Sequence, residues 1–267
     1  MRISISTEIQ SIKAIKPLEL NPSSYFDARE RRMQERHFLT CNWGAIEELE
    51  LAPPEKGCRS DIYFGIVSGL SDMFWAQFGD LEKTPIGEIE LNEKIKVPEL
   101  RVENLKQVIS KLESGVSNFP LEILNYHVLL QEGNKRSAVF DGWSNNYIGL
   151  HADFLTSWGW ENRNTLERRL IVNLGDSPRV LAISNDDLIS LRDKYADKFS
   201  EKEWSRFTAT PNSFFVSKVL ECIGPDLITG YILEPNEFCI FPAQNHIHDG
   251  FTEGFTDFDV VLNCLVN

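Results

Sequence analysis

Cysteine is scarce and scattered: Cys41, Cys58, Cys222, Cys239 and Cys264 form an odd set of 5 with no C-x-x-C pair. That spacing excludes a thiolate zinc site or a disulfide framework as the organising principle. Long apolar runs are missing as well, and none approaches the ~18 residues that span a bilayer. Residues 1–8 carry no apolar stretch of the kind that opens a secretion signal. A protein of the reducing cytoplasm with no membrane partner is expected. Basic residues are outnumbered, 27 Lys and Arg against 40 Asp and Glu, for a net charge of −13. A phosphate backbone needs a positive surface, so a nucleic-acid partner is not expected. Neither G-x-S-x-G, G-x-x-x-x-G-K-[ST] nor G-x-G-x-x-G occurs, which removes the starting feature of hydrolase-elbow, P-loop and dinucleotide-binding readings.

What is present is ordinary globular material, 267 residues with 42% hydrophobic and 25% charged side chains. Residues 1–118 read as a mainly helical flank, with candidate helices at 24–39, 68–78 and 102–112. From residue 119 the texture changes to short apolar runs broken by Gly, Asn, Asp or Pro, which read as strands. Residues 185–199 are an exception, a helix with Asn185 as its N-cap, and 214–223 form a further helix candidate. The expectation is an α+β protein, a helical flank packed on a β-sandwich or short barrel, in a single domain over 1–267 because both halves share a core.

The chemistry concentrates in the β-rich half. His151 and Asp153 close a predicted strand, and i, i+2 side chains on a strand share a face. His246 and His248 form another i, i+2 pair near a later strand end, following Phe241 and Pro242. Two imidazoles and one carboxylate on one side of a metal leave positions open for a co-substrate and O₂, the arrangement of non-haem Fe(II) oxygenases. Periodicity alone does not separate His246 from His248. Trp143 and Trp158 flank the H-x-D and are candidates to wall a substrate pocket.

Across residues 120–266 the sequence resembles the Fe(II)/2-oxoglutarate-dependent dioxygenase superfamily, in its prolyl-hydroxylase-like branch. The run from Leu121 to Tyr126 with Gly133, the H-x-D of His151 and Asp153, and the R-x-L strand starting at Arg168 and Arg169 carry the resemblance. So does the stretch from Glu237 through Pro242 to His248. The resemblance implies a double-stranded β-helix (jelly-roll) core with Fe(II) and 2-oxoglutarate as cofactors. It implies oxidative decarboxylation of 2-oxoglutarate coupled to hydroxylation, or another oxidation, of an unactivated C–H. The metal ligands it implies are His151, Asp153 and His248, the family spacing favouring His248 and leaving His246 to line the substrate pocket. Tyr126 enters as a cofactor-binding residue by the same likeness.

The likeness breaks at one point. The family's usual Arg or Lys beyond the distal histidine is missing, since no basic residue follows His248. Some branches carry the basic residue on the strand after H-x-D, which makes Arg169 and Arg168 the candidates to hold the far carboxylate of 2-oxoglutarate, with Arg179 third. Alternation decides between the first two. If Leu170, Val172 and Leu174 pack outward against helices, Arg169 enters the barrel; if they line it, Arg168 does, and a polar barrel mouth that suits Asn173 favours Arg169. The substrate is expected to be a small molecule, an amino acid or a peptide. Two rival readings are a cupin-like metalloenzyme that uses no 2-oxoglutarate and a non-catalytic β-sandwich binding module.

Overall fold

The computed structural model describes residues 3–5, 11–16, 20–27, 32–39, 45, 47–49, 62–78, 102–116, 121–131, 133–134, 140–141, 146–147, 149–153, 167–202 and 213–267. Two sheets face each other. One has six strands in the order β1 (Ile3–Ile5), β6 (Ile62–Ile66), β13 (Glu237–Phe241), β10 (Arg168–Asn173), β15 (Asp259–Val266) and β7 (Ile123–Gln131). The other has five, β14 (His248–Phe251), β11 (Arg179–Ser184), β12 (Ile228–Leu233), β2 (Ile12–Ile15) and β5 (Glu47–Leu49). Pairing is antiparallel except between β1 and β6.

Period-two alternation sorts each strand between an inner and an outer face. Ile171, Phe241 and Val261 from one sheet meet Leu181, Ile183 and Tyr231 from the other in an apolar layer between the sheets. The outer face of the six-stranded sheet carries Leu170, Val172, Ile240 and Leu262. These pack against Leu70, Phe74 and Phe78 of α1 (Leu70–Phe78) and Leu105, Val108 and Leu112 of α2 (Val102–Gly115). Behind the five-stranded sheet, Val180, Ala182 and Ile232 pack on Leu188 and Leu191 of α3 (Leu188–Lys194) and Val216, Val219 and Leu220 of α4 (Ser213–Ile223). The layering is helix, sheet, sheet, helix. No helix of the described residues is long and apolar enough to cross a membrane.

Residues 24–39, expected as a helix, instead form a hairpin of β3 (Leu20–Asp27) and β4 (Arg32–Leu39). The apolar positions Phe26, Met33 and Phe38 are seven and five apart, and no single helical stripe accommodates both steps. The hairpin register instead sets Phe26 opposite Met33. With β1, β2, β5 and β6 also drawn from this half, the described residues among 1–118 hold more strand than helix and are not a mainly helical flank. They supply strands to both sheets, with α1 and α2 as the outer layer. A short hairpin of β8 (Phe140–Asp141) and β9 (Asn146–Tyr147) precedes the segment that carries His151.

Candidate metal centre

Residues 149–153 run alongside β14. The His151 N–H donates to the His248 carbonyl at 2.9 Å, and the His248 N–H donates back to the His151 carbonyl at 2.6 Å. Residues that exchange both bonds stand directly opposite, with side chains on one face, and the two ring centroids are 4.4 Å apart. Asp153, two residues on, returns to that face, its N–H held by the Ala243 carbonyl at 3.1 Å. His248 lies opposite Ile183 in register and meets the Phe241 ring edge-on at 5.0 Å, which puts the cluster in the layer between the sheets.

Both imidazoles are fixed in the same tautomer. His151 Nδ1 is 2.8 Å from the Gly149 carbonyl, and His248 Nδ1 is 3.0 Å from the His246 carbonyl. A carbonyl only accepts, so each Nδ1 carries the proton and each Nε2 keeps its lone pair. Those two Nε2 atoms each stand 3.8 Å from the same oxygen, Asp153 Oδ1. That gap is too long for a hydrogen bond. A divalent ion about 2.1 Å from each ligand atom would bridge it. The three residues are a group able to hold a metal ion, the ligand atoms all lying within 4.8 Å of one another.

Gly149 makes the His151 lock possible, because its φ of 63° lies in the left-handed region that a side chain disfavours. Asp153 Oδ2 accepts a 2.7 Å charge-assisted bond from Arg169 Nε. Burial works to raise the Asp153 carboxyl, and His248, the Arg169 guanidinium and His151 overcome it, holding the group down at about 2. Burial pushes His248 below the usual imidazole range, against the pull of Asp153. The site at neutral pH therefore sets the Asp153 carboxylate beside a neutral His248 imidazole, the protonation states that metal ligation requires of these two groups.

The other candidates sort by face. Arg169 lies on the inner face of β10 with Ile171, opposite Phe241 and Leu265. Arg168 falls on the outer face with Leu170 and Val172, so the sheet separates it from the triad. Tyr126 is likewise turned outward, packed against the helix-side core and opposite Cys264. Its neighbour His127 takes the inner position, opposite Asn263. Arg179 sits at the other end of the two sheets, buried and paired with Asp259 at 3.1 Å.

His246 does not share a strand face with His248, because β14 begins only at His248 and a turn precedes it. Its Nδ1 donates to the Ser184 carbonyl at 3.1 Å. Burial holds the ring neutral, pulled down to about 4, so it is tied to β11 rather than placed beside Asp153. Trp143 and Trp158 lie outside the described residues.

Three features of the site had no reading in the sequence: the Arg169–Asp153 bond, the two carbonyl locks, and Asn263, whose buried Oδ1 has no hydrogen-bond partner. Gly149, two residues before a histidine, was the available signal for one lock. Asn263, a polar residue between Leu262 and Cys264 in an apolar strand, was the signal for an inner polar position.

No protein-family model matches the chain, and no curated protein matches it. Among solved structures it is similar to the Kdo hydroxylase KdoO, a non-heme Fe(II) alphaketoglutarate dependent dioxygenase, in its complex with succinate and Fe(III). It is equally similar to the cobalt(II) complex of that enzyme. In both cases the TM-score is 0.39 and the identity 10%, over 79% of this chain and 80% of that chain.

Proposed function

We propose that this protein is a mononuclear non-haem Fe(II) oxygenase that takes 2-oxoglutarate as co-substrate, built on a double-stranded β-helix. The observation that carries the proposal is the converging donor set. Two imidazoles, each locked to present Nε2, face one carboxylate oxygen between two sheets. Two nitrogens and an oxygen from one side suit Fe(II) and leave positions open, whereas structural zinc takes a closed set of four ligands. When bound, the iron and its co-substrate supply the oxidising power for a C–H bond; the chain supplies position and shielding.

The surroundings fit a keto-acid. Arg169 spends only Nε on Asp153, and its Nη groups make no hydrogen bond among the described residues, so they can take a carboxylate as a fork. Asn263, with its orphaned buried Oδ1 on the same inner face, offers an amide to the same small polar molecule. Leu181, Ile183 and Phe241 wall the layer and keep bulk water from the reacting atoms. Asp153 is the most exposed of the three, 22% against 7% for His151 and 9% for His248, so substrate approaches over the carboxylate. That substrate is a small molecule, an amino acid or a peptide, and hydroxylation is the default outcome.

The test is succinate release after anaerobic Fe(II) loading and admission of air, with and without 2-oxoglutarate. Succinate that appears only with iron and 2-oxoglutarate together supports the proposal. Iron binding without 2-oxoglutarate turnover points to a metalloenzyme of the cupin kind, and no iron binding points to a binding module.

A further inference from the structure

We infer that Arg169 is a positioning residue that makes Asp153 a one-oxygen ligand, an inference that rests on the metal site proposed above. A carboxylate can grip a cation through one oxygen or through both, and the second mode uses up one of the open positions. Here the two oxygens of Asp153 have separate partners. Oδ1 faces both Nε2 atoms at 3.8 Å, and Oδ2 accepts from Arg169 Nε at 2.7 Å. The bond to a charged donor fixes the rotation of the carboxylate and turns the Oδ2 lone pair away from the imidazoles. Arg169 itself is braced on the inner face of β10, between Phe241 of β13 and Leu265 of β15. Its side chain is 27% exposed, and the bond to Asp153 is what holds its Nε in place.

This role has a sign that separates it from a plain charge effect. A guanidinium beside a dication repels it. If Arg169 served only as a nearby charge, or only as a co-substrate anchor, removing it would leave metal affinity unchanged or raise it. If it orients Asp153, removing it frees the carboxylate and weakens metal binding. Partners of ligating groups typically contribute about 10- to 100-fold in metal affinity, and a loss of that size is expected here despite the relief of repulsion.

The experiment is Co(II) titration of the full-length protein without 2-oxoglutarate, read by visible absorption, for wild type, Arg169→Met, Arg169→Gln and His151→Ala. Arg169→Met is expected to bind Co(II) about 10- to 100-fold more weakly. Its d–d bands should also shift, as the freed carboxylate takes one of the open positions from water. Arg169→Gln, which keeps an N–H for Oδ2, is expected to recover part of both, and it carries the test if the methionine variant does not fold. Affinity equal to or above wild type, with an unchanged spectrum in either variant, overturns the inference and leaves the metal site standing. Failure of the wild type to bind Co(II), or retention of wild-type binding by His151→Ala, overturns the metal site and the inference with it.

Discussion

At the scale of single residues, the site is defined by which atom each side chain is allowed to present. His151 and His248 offer Nε2 because their Nδ1 protons are committed to backbone carbonyls. Replacing either by Ala, or Asp153 by Ala, is expected to abolish metal binding, as equilibrium dialysis against Fe(II) will show. His246→Ala should keep its metal and lose about 1–3 kcal/mol of stability in urea unfolding, because the Ser184 carbonyl loses its donor. The H-x-D was legible in the sequence as an i, i+2 spacing, although the segment makes an isolated bridge to β14 rather than the expected strand. The anchor was only half legible. Alternation along β10 tells Arg169 from Arg168 once the outward face is known, but the partner of Arg169 is 16 residues away. Tyr126 was assigned to the site by likeness alone, and the helices behind its strand claim that ring.

Residue scale also governs the thiols. Burial pushes Cys264 up to about 12 from its ordinary 9.0, and Cys239 is driven up in the same way. Both should resist iodoacetamide at pH 8 while the exposed Cys222 reacts, in peptide mapping of the native protein. A thiol whose folded pKa is raised contributes stability below its unfolded value, and that stability is lost as pH rises from about 9 toward 12. A Cys264→Ala variant should therefore unfold with a shallower alkaline limb than wild type.

At the scale of elements, pattern reading succeeded where one face decides the strand. Leu170, Val172 and Leu174 face the helices, and Ile171 and Arg169 face the layer between the sheets. It failed at residues 24–39, where dense charge imitated a helix and the pairing partner, not local propensity, set the structure. It missed by two residues at α3, whose cap is Asp187 rather than Asn185, the Asp187 carboxylate accepting from Ser190 N at 2.9 Å. Asp187→Ala is expected to cost about 1 kcal/mol in chemical denaturation, whereas Asn185→Ala should leave the helix cap intact. Where β6 pairs with β13 and Gly65 stands opposite Phe238, a Cβ on Gly65 would stand 2.2 Å from Phe238 Cζ, inside any real contact distance. Gly65→Ala should therefore cost about 1–3 kcal/mol, and Gly65→Ala combined with Phe238→Leu should cost less than the two separate losses added together.

At the scale of the whole molecule, two helical layers clamp two sheets, and the metal ligands come from segments nearly a hundred positions apart that meet through the paired backbone bonds of His151 and His248 and the bond from Asp153 N–H to the Ala243 carbonyl. Such a site cannot form in the unfolded chain, so metal binding is linked to folding. A dication at 100 times its Kd is expected to add about 2.7 kcal/mol, raising Tm by roughly 2–4 °C for each kcal/mol, and a chelator should reverse the gain. The most direct measurement of the central claim is the iron content of wild type, His246→Ala and Asp153→Ala after anaerobic loading and removal of free metal. The account predicts a single iron per chain in the first two and essentially none in the third. Full iron occupancy in Asp153→Ala, or none in the wild type, would contradict it.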